Sequence, residues 1–217
     1  MGRIREWREA ETDALVGEAG KLLAAGQVVA LPTETFYALA VHPLQEAALE
    51  RLFALKERPP GKPVLLLVAS LEMLADLVAE VSPAAEALIR EFWPGPLTII
   101  LPAKPGLPAL VTGGTGTVGV RQPRQAATCR LIQGLGHPVT GTSANRSGRP
   151  PLTRAPEVDR EFGEAVPLIV DTGPCPGGLP STVVDLSSSR PRLLRPGAVD
   201  LERLKKVVPD LAESGDA

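Results

Sequence analysis

Lys56, Arg58 and Lys62 place three cations within seven residues, at the end of a helical stretch and across the stiff turn Pro59-Pro60-Gly61. Cations on a stiff loop can cradle a polyphosphate, because Lys and Arg make charge-assisted hydrogen bonds to phosphate oxygens. The same positions could instead complement the negative end of the helix dipole, and the residues alone leave both readings open. Arg121 is placed differently. It ends the apolar run Val118-Gly119-Val120 and is followed by Gln122-Pro123. Facing inward, it needs an internal acid or a ligand carboxylate, since an unpaired buried charge is too costly. Facing outward, it is satisfied by solvent. Strand alternation puts it on the face of Gly119, which leaves room beside it.

Small hydroxyl and amide side chains follow several apolar runs. Val28-Val29-Ala30-Leu31 leads into Pro32-Thr33-Glu34-Thr35. Small hydroxyls around a carboxylate at a strand end suit one wall of a pocket for a small polar substrate. The segment GTSANRSG (141–148) can aim backbone N–H groups and Ser143 at an anion, although an ordinary polar turn would look the same. Ser181-Thr182 opens the run to Leu186 in similar style, and Arg195 precedes Pro196-Gly197. TGGTGT (112–117) is glycine-rich but lacks a Gly-Lys-Ser/Thr ending and leads into a strand, so it is no Walker motif. His42 and His137 stand beside prolines without ligand spacing and read as structural or exposed. Cys129 and Cys175 form no metal-ligand pair, and a disulfide framework is not expected in a chain this long.

The elements that must hold these residues alternate. Leu15, Val16, Ala19, Leu22 and Leu23 recur at helical spacing up to Gly26, and Leu44 to Leu55 define a second helix. Further helices are predicted over 71–80, from the Ser82-Pro83 cap to about Phe92, and over 125–135, 155–162 and 200–208. Strands are predicted at 27–31, 64–69, 97–103, 117–123, 138–144, 167–171, 181–186 and 192–195. This is an α/β pattern with one sheet of roughly seven strands. Connections such as 104–116 show no helix, which favours a mixed sheet over a doubly wound parallel one.

Composition narrows the function. The 217 residues are 44% hydrophobic, enough for a substantial core. Residues 1–210 are expected to form one domain, with a frayed tail at 211–217. Lys and Arg number 23 against 25 Asp and Glu, which argues against a dedicated non-specific nucleic-acid coater. A local groove is still allowed, with Arg121, Arg146, Arg149, Arg190, Arg192 and Arg195 as its cations. No apolar signal core opens the chain and no run reaches membrane-spanning length, so a cytoplasmic protein is expected.

Taken together and in this order, PTETFYAL (32–39), KERPPGKP (56–63), WPGPLT (93–98), VRQP (120–123), SANRSG (143–148), STVVDL (181–186) and LRPGAV (194–199) resemble the YrdC/TsaC family of threonylcarbamoyl-AMP synthases. The resemblance implies an open, twisted mixed sheet with flanking helices and a concave, basic cavity. It implies L-threonine, bicarbonate or CO2, and ATP with Mg²⁺ as substrates. The products are pyrophosphate and threonylcarbamoyl-adenylate, the donor for N6-threonylcarbamoyladenosine in tRNA. Implied partners are downstream tRNA threonylcarbamoyl-transfer proteins and weakly held tRNA or double-stranded RNA, with no membrane. Longer members carry a further C-terminal domain, which this chain is too short to hold.

The resemblance also assigns roles. Thr35, Arg121, Gly141 and Ser181 would meet threonine, with Arg121 on its carboxylate. Lys56, Arg58, Lys62, Thr117, Ser143, Asn145 and Arg195 would meet ATP. Lys56, Arg58 and Arg121 would serve catalysis by charge neutralisation, and Glu34 is a candidate for promoting carbamate formation. Three departures stand out. Ala38 and Ala40 replace glycines, Leu66-Leu67 stands where a histidine is frequent, and Pro151 replaces a Ser or Thr. They leave room for a paralogue that binds nucleotide or threonylcarbamoyl-adenylate without making it efficiently, while an RNA-binding module is the remaining alternative.

Overall fold

The computed structural model describes residues 3–59 and 61–213. Met1, Gly2, Pro60 of the stiff turn and residues 214–217 lie outside the described residues. The chain begins with β1 (Arg3–Glu6), α1 (Thr12–Ala24), β2 (Val29–Leu31), β3 (Ala38–Ala40), α2 (Glu46–Lys56) and β4 (Leu66–Leu67). It continues through α3 (Leu71–Leu77), α4 (Pro83–Phe92), β5 (Leu97–Pro102), α5 (Ala109–Thr112), β6 (Thr117–Arg121), α6 (Ala126–Leu135) and β7 (Val139–Thr140). The last elements are β8 (Thr142–Ser143), α7 (Ala155–Phe162), β9 (Leu168–Asp171), β10 (Thr182–Asp185), β11 (Arg192–Arg195), α8 (Leu201–Val207) and β12 (Ala212–Glu213).

Local chemistry sets several boundaries. Ser82 Oγ accepts the Ala85 N–H at 3.3 Å and Pro83 occupies the first turn, so α4 starts at the predicted cap. Asp200 caps α8 in the same way through the Arg203 N–H at 2.8 Å. Two expectations fail. The 104–116 connection holds the one-turn helix α5, started by Pro108, and Ala212–Glu213 of the expected frayed tail pair with β11.

The strands form two mixed sheets, not one. The five-stranded sheet runs β1-β9-β2-β3-β8 and the seven-stranded sheet β12-β11-β10-β5-β6-β4-β7. The chain changes sheet between β7 and β8, inside the stretch 138–144 that reads as a single strand. Gly141 makes the break. Its N–H donates to Leu65 O at 2.7 Å, and a Cβ there would sit 2.5 Å from Leu67 Cγ. The close approach needs a residue without a side chain.

Alternation distributes the core. In β2, β3 and β9, Val29, Leu31, Ala38, Ala40, Leu168 and Val170 pack with Leu15, Leu23 and Leu131 of α1 and α6, while Ala30, Leu39 and Ile169 join the larger core on the other face. Both faces are covered, which is why these strands read as continuous apolar runs. In the larger sheet Leu97, Ile99, Leu101, Val118, Val120 and Val184 face the core with α4 and α8. The alternate residues are left for the other side.

The two histidines pack on one another beside the β3–β7 crossing, ring centroids 4.3 Å apart. His42 Nδ1 accepts the Leu44 N–H at 3.2 Å, which requires an unprotonated nitrogen. Burial first, and His137 second, push His42 below the ordinary histidine range. The unfolded chain therefore binds protons that the folded chain resists. Stability is complete above the ordinary histidine range and is lost as pH falls through that range towards the lower folded value. Thermal melts between about pH 8 and pH 5 should show a steeper loss for the native chain than for His42→Asn, whose amide oxygen can still accept from Leu44. Parallel pH profiles would refute this.

Candidate functional site

The side of the larger sheet opposite its core is the floor of a cavity of about 530 Å³. Alternation supplies Thr98 and Ile100 from β5, Thr117, Gly119 and Arg121 from β6, and Val183 from β10, with Ser181 just before β10 and Arg195 at the end of β11. The opposite wall belongs to the other sheet. It holds Thr33, Thr35, Tyr37 and Ala38 around the start of β3, and Thr142 and Ser143 of β8. Arg58, Val64, Leu67 and Gly141 complete it from the α2–β4 segment and the change of sheet. Among the described residues that line the cavity three are arginines, Arg121 and Arg195 on the floor and Arg58 opposite, and none is acidic. A concave surface of one sign with apolar walls concentrates its field on an anionic ligand.

Arg121 faces inward and is only 4% exposed, which rules out the outward reading. Its Nη2 lies 2.7 Å from Glu34 Oε1, and its Nε donates to Gly95 O at 3.2 Å. Thr35 Oγ1 stands 3.4 Å from both Nη1 and Nη2 and 2.9 Å from Thr33 Oγ1. Thr33 Oγ1 also accepts the Thr35 N–H, so a local side-chain turn shapes the PTET corner. Arg195 donates through Nη2 to Ser181 O at 2.7 Å and to Ser181 Oγ at 3.0 Å, and Ser181 Oγ lies 3.0 Å from Thr98 Oγ1. Burial first, and the charge of Arg121 second, lower the Arg195 pKa, as expected of two cations sharing one floor.

The Lys-Arg motif divides. Glu57, just after α2, adopts a left-handed conformation, φ +53°, that turns the chain sharply. Arg58 then reaches the cavity wall, where its Nη2 donates to Pro63 O at 2.6 Å. Lys56 is buried behind the wall. Its ammonium donates to Ser143 O, to Asn145 O at 2.6 Å and to Asn145 Oδ1 at 3.4 Å. Burial first, and Arg58 second, push it down to about 7, while the carbonyl oxygens favour its charged form. A simple helix-dipole role does not describe this lysine, because it ties α2 to the 143–145 loop. Direct phosphate contact at Lys56 would require an exchange of those bonds. Lys62 is exposed and off the wall, and its carbonyl accepts from Arg58 Nε at 3.3 Å. Ser143 Oγ donates to Asn145 Oδ1 at 2.6 Å, so Asn145 braces the loop from behind.

Thr35, Arg58, Thr117, Arg121, Gly141, Ser143, Ser181 and Arg195 thus share one cavity, with Lys56 and Asn145 beneath it. Thr33 lines the cavity, as the hydroxyl-rich strand end led one to expect, whereas Thr98 is a wall residue to which motif reading gave no role. For Thr98 the available signal was period-two alternation, which sets it with Ile100 opposite Leu97, Ile99 and Leu101. The departures Ala38, Leu67 and Pro151 all line the cavity, whereas Ala40 is packed in the core and cannot narrow it. Glu34, the candidate for promoting carbamate formation, is not among the residues that line the cavity; it stands beside Arg121, with its Oε1 2.7 Å from Nη2. Two further local cations named from the sequence are also engaged by acids. Arg146 pairs with Glu57 at 2.7 Å and Glu161 at 2.9 Å, and Arg192 with Asp185 at 3.0 Å. No helix among the described residues is long and apolar enough to cross a membrane, and no cluster of three or more His, Cys, Asp or Glu among them could hold a metal.

A family model covering Sua5, YciO and YrdC, described as "Telomere recombination", matches residues 21–197. The threonylcarbamoyl-AMP synthase of Pyrococcus abyssi is 39% identical over 209 residues, 96% of this chain and 59% of that protein. The enzyme of the same name from Bacillus subtilis is 37% identical over 90% of this chain and 57% of its own length. The crystal structure of P. abyssi Sua5 complexed with L-threonine superposes with a TM-score of 0.92 at 38% identity, over 98% of this chain and 62% of the other. The chain therefore spans somewhat over half the length of these relatives.

Proposed function

Because the chain belongs to the Sua5, YciO and YrdC family, we propose that it joins L-threonine, bicarbonate or CO2, and ATP into threonylcarbamoyl-adenylate with release of pyrophosphate. The observation that carries this reading is a single cavity whose wall holds Arg58, Arg121 and Arg195 and no acid among the described residues. Arg121 reads the threonine carboxylate beside Thr35 and Ser181. Arg58, Thr117, Ser143 and Arg195 take the nucleotide side, with Lys56 and Asn145 shaping the loop behind them and Lys62 at the rim. Magnesium arrives with ATP as part of the substrate.

The chemistry asks for little acid–base help at adenylation. The threonine amine and bicarbonate give a carbamate and water. A carbamate oxygen then forms a bond to the α-phosphorus, and the bond to the β-phosphate oxygen breaks, its electron pair leaving with pyrophosphate. The carbamate is already an anion, so catalysis rests on alignment and on neutralising charge as it moves to the leaving group. We place this activity in the cytoplasm, with tRNA threonylcarbamoyl-transfer proteins consuming the adenylate.

Pyrophosphate release with each substrate omitted in turn is the test. Product should require threonine, bicarbonate, ATP and magnesium together. Threonine should exceed serine by about 10- to 200-fold, the range one methyl can command. Ala38, Leu67 and Pro151 on the wall favour a second reading, a binder of nucleotide or adenylate with poor synthesis. Turnover without threonine, or equal turnover with any amino acid, would decide for that second reading.

A further inference from the structure

Arg121 can read a planar carboxylate only if its guanidinium plane is held still. Gly95 O fixes Nε at 3.2 Å, and the carboxylate of Glu34 fixes Nη2 at 2.7 Å. Nη1 reaches the hydroxyl of Thr35 on the cavity wall, at 3.4 Å. The guanidinium is thus held from behind, with one edge left towards the cavity.

Glu34 is itself held. Its Oε2 accepts the backbone N–H of Arg124 at 3.0 Å, joining the β2–β3 corner to the segment that follows β6. Its side chain is 15% exposed, against 4% for Arg121. The contact of Oε1 with Arg121 is one of charge, without a well-directed hydrogen bond. Both carboxylate oxygens are therefore engaged, and the residue is off the wall where substrate would lie.

We infer that Glu34 is a positioning residue: it orients and neutralises Arg121 from outside the cavity, so that the free guanidinium edge meets the substrate carboxylate in a fixed plane. This rests on the threonine-dependent reading of the cavity. The neutralised pair lets Arg121 stay buried when the cavity is empty.

The experiment compares Glu34→Ala, Glu34→Gln and both changes in an Arg121→Lys background. Threonine and ATP kinetics are measured alongside the ¹H–¹⁵N signal of Arg121 Nε. Glu34→Ala should raise the threonine KM by about ten- to a hundredfold, the usual cost of a small misplacement, with the ATP KM within about twofold. Glu34→Gln keeps the shape and an acceptor beside Nη2 but loses the charge that carries the contact, so it should recover only part of that loss and still shift the Nε signal. In the Arg121→Lys background neither change should add much, because lysine has no planar fork to orient. The Nε signal should shift or broaden in Glu34→Ala.

A folded Glu34→Ala protein with unchanged threonine KM and unchanged Nε signal overturns the inference. So does a Glu34→Gln protein that loses kcat with KM intact, since Glu34 would then act in the chemistry. Should Glu34→Ala fail to fold, Glu34→Gln alone decides by the same KM and Nε readings. Should the native chain prove indifferent to threonine, the functional reading fails, and the Nε signal still decides whether Glu34 orients Arg121.

Discussion

Arg121→Ala should abolish threonine use while nucleotide binding stays nearly intact. Removing one partner from a buried charged contact costs about 2–5 kcal/mol, or roughly thirtyfold to several thousandfold in affinity. The loss falls on threonine because Arg121 lies beside Thr35 and Ser181 on the wall, whereas Arg58 stands on the segment after α2. The same substitution strands Glu34, and an uncompensated buried charge can cost about 3–5 kcal/mol of stability. Folding must be checked by circular dichroism. Arg121→Lys separates the effects, since it keeps the charge but loses the fork, and it should still impair threonine. Calorimetry of each ligand against each variant is the measurement. An Arg121→Ala protein that binds threonine normally and loses ATP would move Arg121 to the nucleotide side.

Gly197→Ala should damage both stability and the site, although Gly197 itself touches no substrate in the proposed reaction. A Cβ at this position would collide with Pro180 O and lie 2.6 Å from Thr182 N and 2.7 Å from Ser181 C. These are backbone atoms at the entry to β10, where the Ala198 N–H donates to Pro180 O at 2.9 Å and Thr182 Oγ1 to Val199 O at 2.7 Å. Neither side can yield as a flexible side chain would. Overpacking of this kind costs about 1–3 kcal/mol, or roughly 2–12 °C in Tm for a chain of this length. Ser181 and Arg195 should shift together, because Arg195 is fastened to Ser181 O. Gly119→Ala is the matched control. Its Cβ meets only Thr98 Cγ2 at 3.6 Å and Ile100 Cγ1 at 3.8 Å, so it should fold normally and merely crowd the floor. Equal melting temperatures for Gly197→Ala and the native chain would contradict this account.

Most of the site could be read in the sequence because its residues contradict their local surroundings. Arg121 ends an apolar strand, and small hydroxyls follow strands at Thr35, Ser143 and Ser181. Those conflicts survive without any knowledge of pairing. The helices from Pro83 and at Ala155–Phe162 were legible for a different reason, since caps and 3.6-residue periodicity act within one segment. The division into two sheets was not legible. β4, β7 and β8 are two residues long, too short for alternation to assign a face, and their partners are distant in sequence. The burial of Lys56 was equally hidden, because its carbonyl partners belong to residues 143 and 145. The contact of Glu34 with Arg121 was hidden for the same reason, since the two stand far apart in the chain.

The change of sheet at Gly141 gives the cavity two jaws of separate origin, with Thr98, Gly119 and Val183 on one and Ala38 and Ser143 on the other. A molecule lodged across them acts as a rivet between two plates. It holds only when both plates are folded and correctly spaced, so its binding energy adds to the cohesion of the assembly as RT ln(1 + [L]/Kd). Occupancy should therefore slow amide exchange on both sheets together, in β3 and β8 as much as in β5 and β6, and far beyond the atoms the ligand touches.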